Sequence, residues 1–192
     1  MPERRQRLSA LAALSAAGSY GANPAAPGLV LIARRGLTLV DLRGNPQSAK
    51  FLESAAASLG APLPLAPNTS VSVGDGTVIG LGPDEWLLVG DHFSESLPIA
   101  GGFLTDVSHG RAAMRVSGPR AREVLAKGCS LDLHPSQWPA GQCAQTPIAR
   151  VSVLLHFAGE GSVFDLYCAR SYAGHLWQWL AEAAGEFGYQ VA

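Results

Sequence analysis

Asp106, Ser108 and His109 bring an acid, a hydroxyl and an imidazole close together in sequence, the three groups of a serine-type nucleophilic triad. Such a triad needs its groups to converge in space, and neighbouring positions on one extended segment point in different directions. No G-x-S-x-G elbow accompanies them. The expectation is therefore structural: Asp106 and Ser108 bond to nearby backbone, and His109 leads into a glycine turn. His92, His134, His156 and His175 are scattered, with no H-E-x-x-H or i,i+4 pair, which predicts surface or core-edge roles. Cys129, Cys143 and Cys168 are odd in number and lack C-x-x-C or metal spacing, so they read as small buried hydrophobes in a reducing compartment. Gly74-Asp75-Gly76 lacks the third glycine and the following helix that a phosphate cradle requires. No residue is assigned a catalytic, cofactor-binding or metal role.

Trp177 and Trp179 sit two apart in a helical pattern and cannot share a face. The pattern predicts Trp179 in the core and Trp177 exposed. Trp138, in a loop between Pro135 and Pro139, is a second exposed candidate. An exposed tryptophan is a natural interface anchor, so Trp138 and Trp177 are the expected contact residues. Composition points the same way. Charged residues make up 15% of the 192, against roughly a quarter in ordinary soluble domains, while hydrophobic residues reach 47%. Alanine inflates that apolar count, but a surface so poor in charge also fits burial against partner chains. The net charge of −1 supplies no basic field for nucleic acid, and no apolar run is long enough to span a bilayer.

These residues must be held by regular elements, and the patterning gives them. Residues 1–27 form an N-terminal arm. Arg4, Arg5 and Arg7 precede a short apolar run at 8–14 that is too weak for an export signal, so a helical or extended arm lying on a neighbour is expected. Residues 28–100 make a first β-α-β-β lobe. Strands at 29–33 and 37–42 are followed by a helix capped by Asn45 and started by Pro46, with Phe51, Leu52, Ala55, Ala56 and Leu59 on one face and Gly60 as its stop. A hairpin turns at Gly74-Asp75-Gly76, and residues 86–89 complete the unit. Residues 101–192 repeat the plan. Ala113, Arg115 and Ser117 alternate with Ala112, Met114 and Val116 in a strand that Gly118-Pro119 ends. A helix at 119–127 follows, then long strands at 148–157 and 163–169 turning at 159–161. A last helix, capped by Ser171, carries Tyr172, His175, Leu176, Trp179, Leu180, Ala183 and Phe187 on one face. The fold class is α+β, two lobes with antiparallel or mixed sheets and helices on one side, forming one compact unit.

Two phrases add a resemblance. Leu81-Gly-Pro-Asp-Glu-Trp-Leu-Leu-Val-Gly90 and the stretch from Asp106 to Gly128 resemble the gamma subunits of heterotetrameric sarcosine oxidases. Lys127-Gly128-Cys129, Leu131-Asp-Leu-His-Pro135 and Cys143-Ala-Gln-Thr146 are similar in the same way. The words at 106–109 and 116–119 are also similar to folate-dependent aminomethyltransferases, the T-proteins of glycine cleavage. The resemblance implies part of the aminomethyltransferase fold and a cytoplasmic, non-catalytic structural subunit. It implies partner chains of alpha, beta and delta type that bind FAD, FMN, NAD, tetrahydrofolate and zinc and oxidise sarcosine to glycine. Where aminomethyltransferases carry an Asn, a Gly-Gly turn and an acidic pair, residues 149–157 read Ala-Arg-Val-Ser-Val-Leu-Leu-His-Phe. The carboxylates that would hold a cationic intermediate are missing. Two alternatives stay open: a stand-alone tetrahydrofolate-binding or aminomethyl-transfer protein, and the equivalent subunit of a related N-methyl amino acid dehydrogenase.

Overall fold

The computed structural model describes residues 9–159 and 161–192. The chain runs β1 (Gly18–Tyr20), β2 (Leu29–Arg34), β3 (Leu39–Gly44), α1 (Ala49–Leu59), β4 (Ser70–Val73), β5 (Gly76–Gly82), β6 (Glu85–Val89), β7 (Gly102–Asp106) and β8 (Arg111–Ser117). It continues through α2 (Ala121–Ala126), β9 (Cys143–Ile148), β10 (Val151–Gly159), β11 (Val163–Ala169), α3 (Ala173–Ala184) and β12 (Tyr189–Val191). A seven-stranded sheet has the order β1-β12-β2-β8-β11-β10-β9, and a five-stranded sheet the order β4-β5-β6-β3-β7. Every pairing is antiparallel except β12 with β2, which is parallel. The α+β class read from the sequence is the class observed.

Strand alternation sends successive side chains to opposite faces, and both sheets use both faces. One face of the seven-stranded sheet packs Leu31, Met114, Val116, Leu155 and Leu166 against Val124 of α2 and Leu176 and Leu180 of α3. One face of the five-stranded sheet packs Val40, Leu42, Trp86 and Leu88 against Phe51, Ala55 and Leu59 of α1. A third cluster contains no helical residue. Leu39, Ile79, Leu87 and Val89 of one sheet meet Ala113, Cys143, Leu154 and Tyr167 of the other. The layers are therefore helices, sheet, sheet, helix, with the two sheets face to face.

Helix α1 starts three residues later than the sequence suggests. Asn45 spends its side-chain oxygen on Gln47 N–H (2.9 Å) in a turn, and Ser48 caps instead, accepting from Phe51 N–H at 3.3 Å. Gly60 closes the helix in the left-handed region (φ 83°), where glycine carries no Cβ penalty. The strand expected at 148–157 begins instead at Val151, and a further strand, β9, ends at Ile148. Ala149 and Arg150 both take positive φ (50° and 67°), making a two-residue turn between β9 and β10.

The strands do not sort at residue 100. β2 from the first half lies inside the seven-stranded sheet, and β7 from the second half closes the five-stranded one. Nor does the arm stand off the molecule. β1 pairs with β12, Leu11 is buried, and Leu14 O accepts from Trp177 Nε1–H at 3.1 Å. Residues 1–8 lie outside the described part. These arm contacts correct the tryptophan assignments. Trp177 is buried beneath the arm, and Trp138 is buried in the cluster with α2 and α3 because its loop folds back over that face. Trp179, expected in the core, is only half-buried. Neither Trp138 nor Trp177 is an exposed anchor.

Gly44 tests the α1 side of this packing. A Cβ there would collide with the Phe51 ring, which is itself held in the core beside Trp86 (ring centroids 5.8 Å apart). Gly44→Ala is expected to lower unfolding free energy by about 1–3 kcal/mol, measured from the denaturant midpoint.

Candidate functional site

The sheets do not seal across their whole width. Between the β4–β5 hairpin and the strands β8, β10 and β11 lies a cleft of about 570 Å³. Its floor comes from the seven-stranded sheet: Arg34 at the end of β2, Arg115 on β8, Asp165 on β11 and His156 on β10. Ser70, Ser72 and Thr77 face them, and the exposed Asp75 and Asp91 stand among the lining residues. Alternation puts Arg115 and Asp165 here, since their neighbours Met114, Val116, Phe164 and Leu166 all face the helices.

Asp165 is the centre of the floor. Arg115 and Asp165 are direct cross-strand partners, and the guanidinium grips the carboxylate at both ends, Nε to Oδ1 and Nη2 to Oδ2, each 2.8 Å. Arg34 Nη1 donates to the same Oδ2 at 3.0 Å and to the Tyr167 hydroxyl at 3.4 Å. The carboxylate holds the Arg115 charge more firmly, raising its pKa through the hydrogen bond. Burial pushes the Tyr167 hydroxyl up, so it stays neutral.

His156 stands directly across from Asp165 on the paired strands and is only 4% exposed. Its Nε2 lies 2.9 Å from Ser70 Oγ. The Ser70 hydroxyl donates to Gly141 O at 2.8 Å. A hydroxyl has one proton, so Ser70 must accept from His156, and the imidazole carries its proton on Nε2. Nδ1 is left as a buried lone pair with no hydrogen-bond partner among the described residues. Burial lowers the His156 pKa, opposed by the Asp165 charge and assisted by the two arginines. The sequence pattern had given His156 an edge role; it is an interior residue because β10 is covered on both faces.

The remaining sequence candidates behave structurally. Ser108 N–H donates to Asp106 Oδ1 at 2.8 Å, and Ser108 Oγ accepts from Leu39 N–H at 2.9 Å, pinning β3 to the turn before β8. His109 is exposed. The three cysteines are free and buried, and burial pushes the Cys143 and Cys168 thiols up to about 11, away from thiolate chemistry. Glu85, from the first resemblance word, pairs with Arg43 at 2.7 Å. A second cleft of about 360 Å³ shares Arg34 and Leu37 and is walled by Arg35, Arg111, Arg170 and residues 9–12.

Residues 43–186 match the model of the sarcosine oxidase gamma-subunit family. The chain belongs to that family. It is 34% identical over 158 residues to a sarcosine oxidase subunit gamma of Corynebacterium sp. (strain U-96), covering 78% of this chain and 76% of that one. The subunit gamma of an Arthrobacter species is 35% identical over the same length. In three dimensions the gamma-family chain superposes on a chain of the heterotetrameric sarcosine oxidase from Corynebacterium sp. U-96, solved with pyrrole 2-carboxylate. The TM-score is 0.82 at 30% identity, over 94% of this chain and 96% of that chain. An aminomethyltransferase T from Bartonella henselae shares the fold at TM-score 0.54 and 16% identity, with 46% of its length covered. The gamma-subunit resemblance and the aminomethyltransferase-like fold read from the sequence are thus both found.

Sequence reasoning missed the whole cleft floor. Its visible signals were polar groups inside apolar strands: Arg115 between Met114 and Val116, His156 between Leu155 and Phe157, and Asp165 between Phe164 and Leu166. Asp165→Ala would leave two guanidiniums facing each other unpaired. Both are partly exposed, so a loss near the lower end for a broken buried pair, about 3 kcal/mol, is expected in urea unfolding. His156 adds a pH dependence. Its folded pKa lies below the unfolded value, so the unfolded chain binds the extra proton. The contribution is therefore complete above about pH 6.5 and declines as pH falls. The melting temperature should fall more between neutral pH and pH 5 in the natural chain than in His156→Gln.

Proposed function

We propose that this chain is the non-catalytic structural subunit of a heterotetrameric flavin-dependent sarcosine oxidase complex. The observation that carries this reading is the near end-to-end match with one chain of such a complex, 94% of this chain on 96% of that one. Oxidative demethylation of sarcosine to glycine would proceed on partner chains of alpha, beta and delta type. Those chains would hold FAD, FMN, NAD, tetrahydrofolate and zinc. The side chains of this subunit support the assignment. Asp106 and Ser108 are committed to backbone, and Cys143 and Cys168 are buried as neutral thiols. Three free buried cysteines also suit a reducing compartment such as the cytoplasm. Among the described residues no helix is long and apolar enough to cross a membrane.

The stand-alone aminomethyl-transfer reading is not favoured. The curated aminomethyltransferase match, from Saccharopolyspora erythraea, is 34% identical but spans only 24% of that protein. Nor does any observation single out a related N-methyl amino acid dehydrogenase.

The surface that meets the partners is best sought at β7. It is one of the two edge strands of the five-stranded sheet, and its Phe103 is 76% exposed. An edge strand with a bare aromatic and no lysine or proline is usually covered in the working state. Co-expression with genes for the other subunits of a sarcosine oxidase, with an affinity tag on this chain, tests both claims. Flavin-containing chains are expected to co-purify in fixed ratio and to oxidise sarcosine. A stable lone monomer that binds tetrahydrofolate would overturn the scaffold reading. Phe103→Asp should weaken recovery of the partners by at least about tenfold while leaving the chain's own melting temperature unchanged.

A further inference from the structure

The geometry points to a ligand site that the scaffold role does not require: the cleft between the sheets binds a small carboxylate bearing a single negative charge. Count the charges on the floor. Arg34 and Arg115 supply two cations and Asp165 one anion. His156 supplies none, because its single proton is fixed on Nε2 by Ser70 and its Nδ1 lone pair is enclosed without a donor. One positive charge is left over.

That surplus is accessible, and the anion is not. The Asp165 side chain is 4% exposed, while Arg34 and Arg115 are 23% and 33% exposed. A molecule entering the cleft therefore meets guanidinium edges rather than the carboxylate behind them. Those edges have hydrogen-bonding capacity to spare. Asp165 and Tyr167 engage only Nη1 of Arg34, and Asp165 engages Nε and Nη2 of Arg115. Arg34 Nε and Nη2 and Arg115 Nη1 thus have no protein acceptor among the described residues, and a carboxylate is an acceptor whose geometry a guanidinium fits well. The hydroxyls of Ser72 and Thr77 line the opposing wall.

Charge also limits what fits. A dianion would carry one charge the floor cannot balance, and it would have to pass the exposed Asp75 and Asp91. A zwitterion gains where a dianion loses. With its carboxylate on the arginines, an ammonium group can turn toward those two acids. The order of preference expected is glycine over acetate over sulfate, and about 570 Å³ leaves room for a ligand larger than glycine.

The test uses the co-purified complex and the full chain, with ¹³C-labelled acetate as the observed probe and glycine and sulfate as unlabelled competitors. Saturable line broadening of acetate is expected, displaced by glycine at lower concentration than by sulfate. Arg34→Gln leaves the bidentate Arg115–Asp165 pair in place and should weaken acetate by at least about tenfold. If that variant does not fold, Asp75→Asn decides, because this exposed residue, which also pairs with His92 at 3.0 Å, should contribute to the glycine advantage and not to acetate binding. A reduced advantage with acetate unchanged supports the site. The site is overturned by absent saturation, by sulfate binding as well as acetate, or by probe affinities that the folded variants leave unchanged. It is also overturned if acetate binds the free chain but not the complex, since a partner group then fills the cleft.

Discussion

A carboxylate held between two sheets sets the terms for this structure. Burying the Asp165 carboxylate there calls for compensation, because taking a charge out of water costs several kcal/mol. The compensation comes from two strands at once. Arg115 reaches it from β8, the immediate neighbour of β11. Arg34 reaches it from β2, one strand further on, at a sequence distance of 131 residues. The ion cluster is satisfied only when β2, β8 and β11 lie side by side in that order. A β2 paired within its own half of the chain would strand Arg34 and leave Asp165 with one base instead of two. Such clusters add little net stability compared with an apolar core, but they penalise the wrong arrangement heavily, and here the wrong arrangement is the simpler one.

The same constraint explains what the sequence disclosed. Local periodicity revealed β2, β3, β5, β6, β8, β11 and α1, since each has an alternating or amphipathic pattern strong enough to stand alone. The residues of α1 that pack are Phe51, Ala55 and Leu59, all on the expected stripe. Periodicity does not carry sheet membership, which depends on contacts between distant residues. It also passed over β1, β7, β9 and β12. Three of these contain a short or polar stretch, and β9 carries Pro147, which gives a weak strand signal. The Ala149–Arg150 turn was hidden because neither residue advertises positive φ.

The candidate site was less legible than the fold, for a related reason. A search for nucleophiles finds residues adjacent in sequence, and at 106–109 Asp106 and Ser108 bond to backbone while His109 is exposed. The polar floor of the cleft is assembled from residues 34, 115, 156 and 165, on four different strands. Tryptophan exposure failed for another reason again. Trp177 belongs to an apolar arc on α3 wide enough to admit either ring, and the arm residue Leu14 settles the choice by accepting its indole N–H. Helical position alone could not decide which ring goes in.

Those two burials change where a partner can attach. With Trp138 and Trp177 spent on internal packing, the large apolar groups left in the open include Phe103, Leu65 and Tyr172. Phe103 and Tyr20 both lie on edge strands, and Phe103 is the more exposed, 76% against 38%. The other edges are more guarded: β9 carries Pro147 and is tied to the second sheet through Gln145 and Leu81, β4 is tied through Ser70 to Gly141 O, and β1 is three residues long. A free-standing protein gains nothing from leaving one edge open with an aromatic on it, and it risks pairing with copies of itself. A subunit is under the opposite demand, because the open edge supplies backbone hydrogen bonds and the ring supplies the apolar anchor. Low surface charge, which the composition made visible first, is the same demand spread over a wider area. Both features argue that this fold is complete only inside its assembly.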